Sequence, residues 1–174
     1  AEINRQVPLP EAFRLMEQSQ LQLIQNVLGS DLGLVFNITM LALVPGVCEE
    51  VLFRGYAQRQ FERAAGPAGG ILLAGGIFGL YHLRPSQALP LTVLGLYMAY
   101  LVWRTGSLIP AMLVHIVHNG LAVVAARYVD AHPDYTVQTL EQASMPWYVV
   151  AAGFVIVGSV LYVMHSLAPR IRDG

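Results

Sequence analysis

Residues 32–54 read LGLVFNITMLALVPGVCEEVLFR, an apolar run that ends in two adjacent carboxylates and an arginine. A helix needs about 20 apolar residues to cross about 30 Å of hydrocarbon. This run, with the helical pattern that follows it to Arg63, supplies that length. Because a carboxylate that faced lipid would be strongly unfavourable, the stretch predicts a membrane-spanning helix whose Glu49 and Glu50 face the interior of a helix bundle.

The composition of the whole chain is that of a membrane protein. Its 174 residues are 55% hydrophobic and 12% charged, whereas about 25% of residues are charged in ordinary soluble domains. A small soluble domain could not cover its surface with so few charges. The formal net charge of −1 argues against a nucleic-acid partner, because phosphate binding requires a basic excess.

Apolar segments recur along the chain, which predicts an all-α, polytopic transmembrane bundle of about five spanning helices. They cover residues 32–63, 68–83, 89–103, 107–129 and 146–167. The breaker Gly66-Pro67 separates the first two. Upstream, residues 9–28 alternate apolar and polar positions at helical spacing, which predicts an amphipathic helix on the membrane surface. The expected division is an amphipathic segment at residues 1–30 and a transmembrane core at residues 31–174.

The arginines favour one orientation in the membrane, since cytoplasmic loops carry the excess of positive charge. The excess lies on the side that holds Arg59, Arg63, Arg104, Arg170 and Arg172. Arg5 and Arg14 lie on the other side and weaken the asymmetry. All ten basic residues are arginine, a bias typical of GC-rich bacterial genomes. These features predict an integral protein of the bacterial inner membrane with a cytoplasmic C-terminus.

Polar side chains interrupt the apolar segments at five positions, namely Glu49, Glu50, His82, His115 and Asn119. Counting about 1.5 Å of rise per residue from Arg63 and from Ala68, Glu49 and His82 both lie roughly 21 Å from the turn between these residues. From the same face of the bundle, His115 lies roughly 12 Å deep and Asn119 roughly 18 Å deep. We therefore expect these side chains to meet in or near one layer of the bundle.

Residues four apart share a helix face, and the chain contains the pairs Glu50/Arg54, Phe78/His82 and His115/Asn119. The first pair predicts an ion pair with the guanidinium as a fork for the carboxylate. Glu49 lies about 100° further around the helix and is left for another role. Gly75 and Gly79 lie on the His82 side, where small residues allow close helix packing, and this packing would let His82 reach Glu49.

These residue types supply the parts needed for amide hydrolysis. A carboxylate and an imidazole in a dry cavity can activate a water molecule. A second histidine together with an asparagine amide can donate hydrogen bonds to a developing oxyanion.

The motifs Glu49-Glu50-x-x-x-Arg54, Phe78-x-x-x-His82 and His115-x-x-x-Asn119 lie in this order on separate predicted membrane helices. They resemble the CAAX protease and bacteriocin-processing family, also called the ABI family, which includes the type II CAAX prenyl endopeptidases. The run EEVLFRG is itself typical of that family, and the resemblance covers about residues 30–130.

The resemblance implies a glutamic-type intramembrane protease. By this resemblance, Glu49 and His82 are the water-activating pair, and His115 and Asn119 form the oxyanion site. The supporting residues are Glu50, Arg54 and Phe78. It also implies contact with membrane lipid and a peptide or protein substrate. Within the family a prenylated C-terminal peptide is one such substrate and a bacteriocin leader peptide is another. No cofactor or metal is expected.

Four other interpretations compete with this one. Glu49, His82 and His115 could form a two-histidine, one-carboxylate metal site of a metalloprotease, although no HExxH occurs in the sequence. A non-catalytic scaffold or immunity protein would keep its biological activity after Glu49→Ala. Buried Glu and His residues also build proton relays in carriers. A nucleophilic Cys48 is disfavoured, because the neighbouring carboxylates oppose thiolate formation.

Overall fold

A computed structural model describes residues 10–29 and 33–131, together with the helical positions Gly158 and Tyr162. Within this part of the chain every regular element is a helix and no strand occurs. The predicted all-α class is therefore confirmed.

Helix α1 (Glu11–Leu28) precedes a long helix that begins at Gly33. The long helix contains α2 (Gly33–Ile38), a π-helical stretch π1 (Thr39–Leu43), α3 (Val44–Glu50) and a second π-helical stretch π2 (Val51–Ala57). It continues into α4 (Gln58–Tyr81), which is followed by α5 (Pro85–Thr105) and α6 (Ile109–Ala131).

Two helical runs among the described residues are long and apolar enough to cross a membrane, Gly33–Tyr81 and Ile109–Val129. The expected count of about five spanning helices is thus not confirmed. Helix α5 coincides with the predicted third segment but is not one of these two runs. The predicted segment at residues 146–167 lies outside the described residues, apart from Gly158 and Tyr162.

Helix α4 reverses direction at Gly66, as the Gly66-Pro67 breaker predicts. Gly66 has φ 73° and ψ 175°, a conformation that glycine adopts without steric cost. Residues equally distant from Gly66 then face each other. The rings of Phe53 and Phe78 are 5.3 Å apart, and a Cβ on Gly70 would lie 3.0 Å from the backbone nitrogen of Glu62. The resulting helical hairpin brings the end of α3 level with the end of α4.

The second half of α4 packs closely on α5 through glycines. A Cβ on Gly75 would lie 2.7 Å from the backbone nitrogen of Leu96, and a Cβ on Gly95 would lie 2.8 Å from the carbonyl oxygen of Gly75. A Cβ on Gly79 would similarly meet the backbone of Thr92. The expected close helix packing at Gly75 and Gly79 is therefore confirmed, but the helix that it admits is α5 and not the one that carries Glu49. That helix presents the bulky Phe53 to α4, whereas α5 presents Gly95.

The buried core contains Phe53, Phe78, Met98, Val102 and Ala111. It lies where π2, the second half of α4, α5 and the start of α6 meet. Many large apolar side chains outside this core are exposed, as in Leu72, Leu80, Val93 and Leu121. Such an apolar exterior suits helices that are surrounded by lipid.

Helix α1 coincides with the predicted amphipathic helix and contacts the bundle. The carbonyl oxygen of Leu28, at its end, accepts hydrogen bonds from Asn37 at 3.2 Å and from Arg127 at 2.9 Å. Nearer its start, Glu17 lies 3.7 Å from Arg84. These contacts place α1 against the part of the bundle that holds α2 and the end of α6.

Candidate active site

The two adjacent carboxylates close α3, between the two π-helical stretches. Glu50 is its last residue, and its side chain is fully buried. Glu49 is only partly buried, with 24% of its side chain exposed. Because neighbouring helical residues point about 100° apart, the two carboxylates enter different surroundings. π-Helical turns in helices frequently occur at functional sites.

Glu50 belongs to a buried cluster that joins three helices. Arg54 Nη1 donates to Glu50 Oε1 at 2.7 Å, and both side chains are 0% exposed. The predicted ion pair is therefore present. Arg54 Nη2 also donates to the carbonyl oxygen of Gly95 at 3.0 Å, and the guanidinium lies over the ring of Phe78, 4.3 Å from its centroid. His115 Nδ1 donates to the same Glu50 oxygen at 2.8 Å.

Glu49 lies between two histidines from other helices. Its Oε2 is 3.8 Å from His82 Nε2 and 4.0 Å from His115 Nε2. Both distances are too long for direct hydrogen bonds. Among the described residues this buried oxygen has no hydrogen-bond partner. The structure thus brings Glu49, His82 and His115 together around one point without bonding them to each other.

The orientation of His82 follows from its position at the end of α4. Its Nδ1 lies 2.8 Å from the carbonyl oxygen of Phe78. Since a carbonyl can only accept, Nδ1 carries the hydrogen and Nε2 is directed to Glu49. The Phe78 ring lies 4.8 Å from the His82 ring and 5.5 Å from the His115 ring. Phe78 therefore packs against both histidine rings.

Asn119 makes its hydrogen bond to the long helix and not to the three converging groups. Its Nδ2 donates to the carbonyl oxygen of Leu41 at 3.1 Å. Pro45 follows Leu41 by four residues and has no N–H to donate to that carbonyl. Asn119 thus satisfies a carbonyl that Pro45 cannot, and it retains a second amide hydrogen.

Gln58 is a buried polar residue that the motif analysis missed. It lies four residues after Arg54 on the same helix face and is 1% exposed. Its Nε2 donates to Glu62 at 2.9 Å and to the carbonyl oxygen of Ala99 at 3.0 Å. The spacing of polar residues at positions 50, 54, 58 and 62 was the signal that could have revealed it. Together with Arg54, Gln58 fastens the long helix to α5.

Cys48 is exposed, on a different side of the helix from buried Glu50. Tyr97 and Tyr100, which the sequence places at the third segment, line an open apolar groove of about 390 Å³ with Ile71, Leu72 and Leu96.

Within the residues that the structure describes, no three His, Cys, Asp or Glu side chains are grouped as a metal site would require.

Comparison with known families gives a match over the region that holds these residues. A family model for Type II CAAX prenyl endopeptidase Rce1-like proteins matches residues 31–121, more than half of the chain. This range contains every site residue predicted from the sequence. Neither the curated proteins nor the solved structures include a significant match. Membership of this family implies protease activity on a peptide or protein and association with the membrane. The chain belongs to the Rce1-like family of type II CAAX prenyl endopeptidases.

Proposed function

We propose that this protein is a glutamic-type intramembrane endopeptidase that uses water, activated by Glu49 and His82, to cleave a membrane-associated substrate. The observation that carries the proposal is the convergence of Glu49 Oε2, His82 Nε2 and His115 Nε2 at 3.8–4.0 Å. A small oxygen-containing group between them could contact all three. A partly buried site of this kind also limits access of bulk water to the reaction.

In the proposed reaction Glu49 accepts a proton from the water as the water oxygen attacks the peptide carbonyl carbon. The carbonyl π electrons move to its oxygen and form a tetrahedral oxyanion. His82 Nε2 accepts a hydrogen bond from the other hydrogen of the water, which stays on the attacking oxygen, since its Nδ1–H is donated to the carbonyl oxygen of Phe78. When the C–N bond breaks, the protonated Glu49 returns its proton to the leaving amine.

The oxyanion would be stabilised by His115 and by the second amide hydrogen of Asn119. Because His115 Nδ1 donates to Glu50, donation from Nε2 requires a doubly protonated ring. The Glu50–Arg54 pair then acts as a fixed support that orients this ring. Phe78 supports the same arrangement through its contacts with both histidines.

The test is cleavage of membrane-anchored peptides by the purified protein in detergent. We expect Glu49→Gln and His82→Ala to abolish cleavage, Cys48→Ser to leave it unchanged, and a chelator to have no effect. Inhibition by the chelator would instead support the metalloprotease. Persistent cleavage by both variants, or no cleavage by the wild type, would contradict the proposal.

The substrate class is tested with matched peptides that differ only in a prenyl group on a cysteine near the C-terminus. Family membership leads us to propose that the substrate is lipidated, so the prenylated peptide should be cleaved with the higher kcat/KM. Equal rates for the two peptides would contradict the lipidated class but not the endopeptidase.

A further inference from the structure

Arg84 is a charged residue at the edge of the site that the proposed mechanism does not use. It follows His82 by two residues, so their Cα atoms lie at most about 7 Å apart. Leu83, between them, has φ 51°. Positive φ is unusual for a residue other than glycine, and strained backbone of this kind clusters at ligand-binding and catalytic sites.

Arg54, the other arginine at the site, already has close partners. Arg54 is fully buried and donates to Glu50 and to Gly95. By contrast, Arg84 retains 19% exposure of its side chain, and its buried Nε has no hydrogen-bond partner among the described residues. Its carboxylate neighbour, Glu17 of α1, lies 3.7 Å away, beyond the 2.7–2.9 Å of a charge-assisted hydrogen bond.

Among the described residues, helix α1 lies at this edge and contacts Arg84 through Glu17. The second half of α4 ends at the layer that holds Glu49, His82 and His115, whereas the long helix and α6 continue beyond this layer. Asn37 and Arg127, which hold the end of α1, lie twelve residues from Glu49 and His115, or about 18 Å beyond that layer. Helix α1 returns from there toward the site and brings Glu17 to Arg84.

We propose that Arg84 binds a carboxylate of the peptide substrate, and that Glu17 occupies this position until the substrate replaces it. The inference rests on the proposed endopeptidase function and adds a substrate feature to it. The carboxylate must lie within a few residues of the scissile bond, because Arg84 is so close to His82 along the chain. A free C-terminus and an acidic side chain offer the same chemistry.

Binding tests this inference separately from cleavage. Glu49→Gln protein is titrated with a fluorescent membrane-anchored peptide that carries a free C-terminus, with the same peptide as a C-terminal amide, and with a version whose acidic side chains are neutralised. We expect loss of one of these carboxylates to weaken binding about tenfold, and the weaker version identifies the source. Such a loss corresponds to removing one partner of a partly buried charge pair.

The same titration is then repeated after substitution on either side of the ion pair. Arg84→Gln should remove the difference between the acid and the matched neutral peptide, and Arg84→Lys should keep part of it. Glu17→Gln should strengthen binding of the acid several-fold, because the competing carboxylate is gone. The exposed residues Glu11 and Arg59 provide control variants, Glu11→Gln and Arg59→Gln, that should match the parent protein.

A purely structural role for Arg84 predicts that Arg84→Gln weakens the acid and the neutral peptide equally, and that result would overturn the inference. Weaker acid binding in Glu17→Gln, or no difference between the peptides in the parent protein, would overturn it as well. If the wild type cleaves no peptide but the binding difference depends on Arg84, the proposed function fails and the carboxylate site stands.

Discussion

At the scale of single residues, Glu49 and Glu50 are neighbours with different surroundings, and from this difference we predict separate effects on stability and on activity. Glu50 is fully buried between Arg54 and His115. Removing one member of a buried charge cluster leaves the others uncompensated, so we expect Glu50→Ala to lower the free energy of unfolding by about 3–5 kcal/mol. Thermal unfolding in detergent measures this loss.

A paired replacement is the control for that prediction. Glu50→Leu combined with Arg54→Met removes both charges at similar volume, and it should recover much of the stability without restoring cleavage. If Glu50→Ala unfolds at the wild-type temperature, the cluster does not stabilise the fold.

Glu49→Gln should behave in the opposite way. Glu49 Oε2 has no hydrogen-bond partner among the described residues, and the substitution nearly preserves side-chain volume. The free energy of unfolding should therefore change by less than about 1 kcal/mol. Loss of the proposed base should lower kcat by about 10²- to 10⁴-fold. A comparable fall in thermal stability would mean that the activity loss reports unfolding.

The sequence predicted the contact between Glu50 and Arg54, but not the contacts that His115 and Asn119 make with the long helix. The Glu50–Arg54 pair follows from helical spacing alone, because both residues lie on one helix. The contact between His115 and Glu50 joins residues far apart in the sequence and depends on how α6 packs. The same is true of Asn119, whose partner is a backbone carbonyl of π1. Side-chain identity does not reveal such a partner, although Pro45 marks the carbonyl that needs one.

At the scale of helices, the glycines of α4 make a sharp prediction. A Cβ at position 75 would lie 2.7 Å from the backbone of α5, whereas a Cβ at position 76 would meet nothing within 4 Å. Gly75→Ala should therefore force the helices apart and cost about 1–3 kcal/mol. Gly76→Ala should be neutral or stabilise the helix by up to about 1 kcal/mol.

These two variants form a matched pair for thermal unfolding, since each adds one methyl group to adjacent positions. Displacing α5 would also disturb the Arg54 bond to Gly95, so Gly75→Ala should lose cleavage activity as well. Equal melting temperatures for the two variants would contradict the proposed close packing.

The hairpin was predictable because its signal is local. Gly66-Pro67 marks the turn, and counting residues from it correctly placed Glu49 near His82. The partner of the glycine face was not predictable in the same way. Choosing between the long helix and α5 requires knowing that α5 offers Gly95 while the long helix offers Phe53. The π-helical stretches also lack a sequence signal, because they differ from an α-helix by a single hydrogen-bond register.

At the scale of the whole molecule, the lengths of the helices position the site within the membrane. The long helix runs from Gly33 to the turn at Gly66 and measures about 50 Å, against about 30 Å of hydrocarbon. It must tilt or extend beyond the bilayer. Glu49 lies near its middle, whereas the α4–α5 hairpin reaches only from Gly66 to the layer that holds Glu49 and His82. The site is therefore enclosed on the side of Gly66 and bordered by α1 on the other.

This geometry allows the predicted orientation to be tested directly. The Gly66 turn and the turn at Gly106 lie at one end of the bundle, close to Arg59, Arg63 and Arg104. The excess of arginine predicts that this end is cytoplasmic. Exposed Ala64 marks it, and exposed Ala131, at the end of α6, marks the opposite end.

The experiment labels single cysteines with a membrane-impermeant maleimide in vesicles from a bacterial host, using a Cys48→Ser background to remove the native thiol. Ala64→Cys should react in inverted vesicles and Ala131→Cys in right-side-out vesicles. The impermeant reagent reaches only the side of the membrane that faces outward in each kind of vesicle. The reverse pattern would overturn the orientation. Because the long helix that ends at Gly66 and helix α6 run in opposite directions, labelling of both positions from the same face would contradict the helical arrangement itself.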